Sequence, residues 1–259
     1  MYDFHVHSNY SDGRFLPLMV RAAAEAGLDG VGVADHCIVS GREATDDTRT
    51  KLGFNLDRTY ERRRRGIEQV RESVDIAVYD AVEMNYEPRD EAAVREFLDG
   101  AGFDYSIGSV HEVQGLNVQD ASNFRGMSDD ERDAVVDAYF DSLVALAASE
   151  LFDIAAHPDL LERVDPLRGR ATEDHYRRAA RAFADSRTVP EVNAGRALRD
   201  EAVVHPSSTF LDVLTEHDVP LTVGTDSHAP DEIGERAAFL EEFVGERGID
   251  PTGPPSLDA

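Results

Sequence analysis

The chain has 259 residues, 41% of them apolar, enough for one α/β barrel or two small domains; no Pro/Gly/Ser linker divides it, so a single domain is expected. Its 52 acidic and 26 basic residues give a formal charge of −26, which disfavours extended nucleic acid and acidic membranes as partners, and no apolar stretch approaches the roughly 20 residues of a membrane helix. The one cysteine, Cys37, excludes an internal disulfide and a thiolate cluster, so any metal here rests on nitrogen and oxygen ligands.

The first apolar run, residues 3–7, reads as a strand carrying His5 and His7. A chain that opens on a strand shows no signal peptide, so a cytoplasmic protein is expected. Residues 16–26 read as a helix, with Pro17 near the start and Gly27 just past the end. A second strand, Val31-Gly32-Val33-Ala34, runs into Asp35 and His36. Residues 38–56 are polar and loop-like, and a charged helix follows over about 57–74. Its run Arg62-Arg63-Arg64-Arg65 is flanked by Glu61, Glu68 and Glu72 at ion-pairing spacing, which reads as a solvated face and not a nucleic-acid contact. A third run, 76–82, delivers Glu83, and a helix over about 88–100 precedes a strand at 105–107 that leads to His111. Residues 114–127 lack periodicity and are long enough to cap a pocket. Ser128 and Glu131 form the capping-box pair of a helix reaching about Glu150. Strands at 152–156, 188–192 and 221–224 end at His157, at Asn193, and at Asp226 and His228, with a helix at about 209–216 before the last. This makes about seven β/α units. The tail from about residue 250 reads as disordered, and His175 and His217, in charge-rich helices, read as solvated.

Six of the nine histidines (His5, His7, His36, His111, His157 and His228) stand at the ends of these strands. Buried parallel strands alternating with helices gather such residues at their carboxyl ends, where α/β barrels build active sites. His5 and His7 share one face of their strand and can hold one ion, and Asp12 can reach back from the following loop. Leaving so many polar groups buried and uncompensated would cost several kcal/mol each, so together with Asp12, Glu83 and Asp226 they read as a polynuclear metal site.

The segments HVHSNYSDG, ADH, VEMNY, IGSVH, AHPD and GTDSH, in this order from residue 5 to residue 228, resemble the motif series of the polymerase-and-histidinol-phosphatase (PHP) superfamily. Residues 103–111, 151–160 and 191–193 are most similar to its histidinol-phosphate phosphatase branch. The resemblance implies a distorted (β/α)7 barrel with three divalent ions, zinc, manganese or iron. Carried over by motif, His5, His7, Glu83 and Asp226 hold the first ion, and Glu83 bridges to a second held by His111 and His157. Asp12, His36 and His228 hold the third. The sequence departs from the branch at Glu112, where an aromatic or aliphatic residue is common, and in the loop 114–126.

A metal-bridging hydroxide attacking a small phosphomonoester is the reaction this implies, with histidinol phosphate as substrate and a place in histidine biosynthesis. No side chain is singled out as general acid. Arg196, Arg199, Asn193 and His205 are expected to contact substrate, and Glu112 is a candidate partner for an imidazole ring. The alternatives are a phosphoesterase acting on nucleotides or short oligonucleotides, a metal-dependent amidohydrolase, and a zinc-stabilised binding protein. Amidohydrolases often bridge their metals with a carboxylated lysine, and the one lysine here, Lys51, lies in a polar stretch. That scarcity of lysine on an acidic surface resembles proteins from extreme halophiles, in which salt screens self-repulsion. The sequence leaves the oligomeric state open.

Overall fold

In the computed structural model, which describes residues 1–257, seven parallel strands form one curled sheet with helices packed outside it. The strands and helices alternate in chain order as β1 (Tyr2–Val6), α1 (Leu16–Glu25), β2 (Gly30–Cys37), α2 (Glu43–Leu52), α3 (Leu56–Arg71), β3 (Ala77–Asn85), α4 (Glu91–Ala101) and β4 (Tyr105–Ser109). A short hairpin, β5 (Glu112–Val113) and β6 (Leu116–Asn117), then precedes α5 (Asp129–Ala148), β7 (Ile154–Ala155), α6 (Glu173–Ala184), β8 (Val189–Arg196) and β9 (Val203–His205). The chain finishes with α7 (Ser208–Glu216), β10 (Thr222–Gly224) and α8 (Pro230–Arg247).

The sheet order is β1-β2-β3-β4-β7-β8-β10, with β9 antiparallel on β8. Among the described residues the backbone links between first and last strands lie at their carboxyl ends, where Val6 bridges Ser227, the Asp226 N–H donates to the His5 carbonyl (2.8 Å) and the His7 N–H donates to that of Ser227 (2.9 Å). This partial closure is the distortion of the seven-unit barrel, and it holds the start and the end of the site side by side. Gly224 makes it possible: a Cβ there would stand 1.9 Å from Glu191 Oε1 and 2.6 Å from the His5 Cβ. The barrel interior is filled by Phe4, Ala34, Ala81, Tyr105, Ile107 and Ile154. A larger cluster, including Phe140, Phe152, Phe183 and Phe210, seals the sheet to α5, α6 and α7, each ring contributing about 1.5–3 kcal/mol.

Several expectations are corrected. Residues 43–52 form a helix despite lacking an apolar stripe, because acidic residues in the first turn, basic ones in the last and Gly53 in the left-handed region terminate it favourably. Arg63 of the four-arginine run is fully buried, its guanidinium donating to Asp35 (2.9 Å) and Asp80 (2.7 Å), while Arg62 and Arg65 stay exposed. The stretch 114–127 contains part of the β5–β6 hairpin and a 3-10 turn. The capping box of Ser128 and Glu131 forms at α5 as expected. His175 is no solvated residue: it closes the capping box of α6, stacks on Phe140 and bonds Asp137 (2.7 Å). His217, half-buried, ends α7. The tail also docks. Thr252 N–H donates to Leu221 C=O, Ser256 bonds the Asp153 carboxylate, and Pro254 is buried against the base of the barrel. Residues 258 and 259 lie outside the described residues. Among the described residues no helix is long and apolar enough to cross a membrane.

Candidate metal centre

Every expected ligand reaches one end of the barrel. His5 and His36 lie in β1 and β2, Glu83 in β3, and His7, His111, His157, Asp226 and His228 within a few residues of a strand's carboxyl end. The parallel register pairs His36 with Glu83, so both side chains face the same way. Asp35, one residue earlier, faces the helices, where Arg63 receives it. Asp226 (φ 51°) and His157 (φ 31°) hold left-handed backbone, uncommon for residues other than glycine and aimed here into the site.

The Glu83 carboxylate is the hub. Its Oε2 lies 2.6 Å from His36 Nδ1 and 3.5 Å from Nε2 of both His5 and His7, and its Oε1 lies 3.1 Å from His157 Nε2 and 3.4 Å from His111 Nε2. Ser109 Oγ donates to Oε1. Oε2 is buried and accepts no hydrogen bond in spite of the three imidazoles around it. A buried carboxylate oxygen surrounded by nitrogens out of hydrogen-bonding line is what a cation-binding oxygen looks like, so the donor set fits divalent ions. Three overlapping groups have ligand atoms within 4.8 Å of one another: His5, His7 and Glu83; His36, Glu83 and His111; and His7, Asp12, His36 and His228. The third contains the expected Asp12, His36 and His228 and adds His7. His36 also belongs beside Glu83, so it is shared between groups.

Hydrogen bonds on the far side of two of the rings set their lone pairs. His5 Nδ1 donates to Glu191 (2.8 Å) and His228 Nδ1 to the Asp226 carbonyl (3.0 Å), which turns both Nε2 atoms toward the cluster. Burial pushes His7 and His157 down to about 4, so both are neutral imidazoles with a lone pair to offer. Burial also acts on His5 and His228, but Glu191 and Glu83 hold the first well above its ordinary value, and Asp12 and Asp226 hold the second up at about 9. A proton and a cation compete for these nitrogens, so ion binding releases protons.

Glu191 is a further residue of the site, not among those expected from the sequence. It is buried in β8, and besides His5 it takes the His157 N–H (3.1 Å) and Asn193 Nδ2 (2.9 Å). The signal was present: a carboxylate inside an otherwise apolar strand has to be paired. Glu191→Ala is expected to weaken metal affinity about 10–100-fold, the usual cost of losing a ligand's outer partner, as read by competition against a chromophoric chelator.

Beside the hub lies a cavity of about 370 Å³ with Arg163, Arg196, Arg199 and Arg236 in its walls. Arg196 makes no ion pair among the described residues; burial and then the charges of Arg163 and Arg199 push its guanidinium below its ordinary value. Arg199 is exposed and 3.6 Å from Glu232. Arg236 is buried and holds the Asp226 carbonyl (2.9 Å). Arg163, which the sequence reading passed over, donates from Nη2 to Asn193 and Asp226 (3.2 Å each) and from Nε to His205 Nε2 (2.8 Å).

Of the five expected substrate contacts, Arg196 and Arg199 line this cavity and Glu112 lines its neighbour. Asn193 and His205 are fully buried and line neither space, and both bond Arg163. His205 Nδ1 donates to Asp159 (2.6 Å), which leaves Nε2 to accept from Arg163, so neither ring nitrogen is left for a ligand.

A family model described as the PHP domain matches residues 3–195, which include seven of the nine expected ligand positions. The histidinol-phosphatase of Lactococcus lactis subsp. lactis (strain IL1403) is 23% identical over 244 residues, 87% of this chain and 83% of that protein. The crystal structure of hisK from Listeria monocytogenes is similar with a TM-score of 0.72 at 17% identity, covering 92% of this chain and 99% of that one. Histidinol phosphate phosphatase from Lactococcus lactis subsp. lactis Il1403, crystallised with zinc, L-histidinol and phosphate, gives 0.71 at 20% identity, covering 96% and 94%. At these identities the two structures speak to the fold, a distorted barrel of parallel strands; the PHP domain model spans well over half of the sequence, and the chain belongs to the PHP domain family.

Proposed function

We propose that this chain is a metal-dependent phosphomonoester hydrolase holding three divalent ions, with histidinol phosphate as its first candidate substrate. One observation carries the reading: five imidazoles lie within 3.5 Å of the Glu83 carboxylate, at the edge of a cavity walled by four arginines. The first two groups of ligands share Glu83, because a carboxylate has two oxygens to offer and a neutral imidazole one lone pair. Bound divalent ions supply Lewis-acid polarisation of the phosphoryl oxygens and acidify water near neutral pH. Zinc suits the nitrogen-rich donor set and is present in the Lactococcus structure; manganese and iron remain compatible with it.

The chain's own residues do the rest. Glu191 and the Asp226 carbonyl orient the rings of His5 and His228. Arg163, fixed by His205, Asn193 and Asp226, and Arg196, in no ion pair among the described residues, line the cavity that would take the phosphate and would neutralise charge growing on its non-bridging oxygens. These cations also give a local attraction that the −26 surface lacks. Glu83 would supply the shared carboxylate where many amidohydrolases use a carboxylated lysine, and Lys51 is exposed on α2, which counts against that alternative. The acidic exterior counts against oligonucleotides.

The test is phosphate release by the zinc- or manganese-loaded protein from histidinol phosphate, a generic aryl phosphate and a short dinucleotide. Strong preference for histidinol phosphate is expected. Cleavage of the dinucleotide alone overturns the monoesterase reading.

A further inference from the structure

Asp159, the last residue of the AHPD segment, is fully buried and touches neither the ligand cluster nor the cavity. It opens the 3-10 turn Leu160–Arg163, yet its side chain caps no N–H of that turn. It reaches across to the end of β9 instead. One carboxylate oxygen accepts from His205 Nδ1 (2.6 Å) and the other from the Ser207 N–H (2.7 Å). The far nitrogen of the same ring, Nε2, accepts from Arg163 Nε (2.8 Å). A single turn therefore offers an acceptor and a donor to opposite sides of one imidazole, and His205, like Asp159, is 0% exposed.

The hydrogens available dictate the direction of every bond in this chain. A backbone N–H and a guanidinium only donate, and an ionised carboxylate only accepts, so the ring between them carries its hydrogen on Nδ1 and its lone pair on Nε2. Asp159 thus selects the tautomer that Arg163 requires. The interposed ring also preserves charge. A carboxylate bonded to Nε would cancel part of the guanidinium's positive charge, to which Asp226 is already bonded at Nη2 (3.2 Å), whereas a neutral imidazole fixes the same nitrogen without that loss. Nη2 is further tied to Asn193 (3.2 Å), so Nη1 is the donor of Arg163 left without a partner among the described residues.

We propose that Asp159 is a positioning residue for phosphate recognition: it fixes the tautomer of His205, and that tautomer fixes the guanidinium of Arg163 at the cavity wall. The inference rests on the phosphomonoesterase reading above for the identity of the anion. Asp159 and His205 are laid out like an acid–base pair but move no proton, because both nitrogens of the ring are taken and the ring lines no cavity.

The experiment is calorimetry of inorganic phosphate against the zinc-loaded full chain in wild type, Asp159→Asn, His205→Gln and His205→Leu, with zinc content and nitrogen NMR of labelled histidine alongside. Asp159→Asn keeps the shape and removes one acceptor. The Ser207 N–H cannot reverse but an imidazole can, so the amide oxygen goes to Ser207, the amide nitrogen to His205, and the ring hydrogen moves to Nε2 against Arg163. His205→Gln can donate to Asp159 and accept from Arg163 as the ring does; His205→Leu can do neither. Asp159→Asn and His205→Leu are expected to weaken phosphate binding about 10–100-fold at unchanged zinc content, the usual effect of losing a hydrogen bond to a charged group, and His205→Gln to stay within about threefold of wild type. The His205 Nε2 resonance should change from lone-pair to N–H type in Asp159→Asn. Equal phosphate affinity in wild type and Asp159→Asn, or a His205→Gln protein as weak as His205→Leu, overturns the proposal. So does loss of zinc in step with loss of phosphate. If Asp159→Asn does not fold, the two His205 variants decide alone. A zinc-loaded wild type that binds phosphate and hydrolyses no phosphomonoester overturns the hydrolase reading, and the same calorimetry still decides the role of Asp159.

Discussion

Replacing Glu83 by glutamine should abolish metal-dependent turnover while leaving the barrel folded. Glutamine matches glutamate in shape but offers a neutral amide where two ligand groups share a charged carboxylate, so both lose their common anion. Metal content, measured by mass spectrometry after dialysis, is expected to drop below that of wild type. The several kcal/mol of transition-state stabilisation that clustered ions provide corresponds to a fall in kcat/KM on the order of a thousandfold. The far-ultraviolet dichroism should stay unchanged, since the side chain is enclosed by other site residues and carries no part of the apolar core. A Glu83→Gln variant that keeps its metal and turns over within tenfold of wild type would remove Glu83 from the centre of the account.

The largest effect on stability is expected from Arg63→Ala. Arg63 is 0% exposed and bonds the carboxylates of Asp35 and Asp80 and the Ala81 carbonyl from one guanidinium. Truncation leaves buried Asp35 without its cation and Asp80 with Arg64 alone, a loss of about 3–5 kcal/mol, which for a chain of this size lowers Tm by about 10 °C. The damage should also reach the metal centre. Asp35 accepts from the Ser8 N–H (2.6 Å), Ser8 Oγ (2.7 Å) and Ser11 Oγ (2.9 Å), and so pins the turn that carries Asp12 behind His7. Arg62→Ala and Arg65→Ala, on the exposed face of the same helix, are expected to shift stability by no more than about 0.5 kcal/mol. Urea unfolding of the three variants makes the comparison, and equal midpoints would show that the buried network is dispensable.

That contrast also marks what the sequence could reveal. A strand buried on both faces is an apolar run, and the residue that ends it is conspicuous when polar, so His36, Glu83, His157 and Asp226 announced their position at the barrel mouth. Ser128 and Glu131 announced the start of α5 by a purely local rule. Arg63 was opaque because its partners lie 28 and 17 residues away in two strands, whereas Glu61 and Glu68 offered a local and wrong explanation for the same charge. Helix α2 was opaque because its sequence, EATDDTRTKL, has no apolar periodicity to read. His205 and Asn193, expected to contact substrate, are buried and hold Arg163. Only the fold shows that Arg163 stands between them and the cavity.

The most direct test of the whole account is a metal titration. Protein stripped by chelation is reloaded with zinc in about 1 M KCl, where the acidic surface is screened within about 3 Å, and phosphate release from histidinol phosphate is followed at each ratio of ion to chain. No release is expected from the stripped protein, and the rate should rise to a plateau at three ions per chain. Turnover that persists in protein proven metal-free, or that saturates at a single ion, would contradict it.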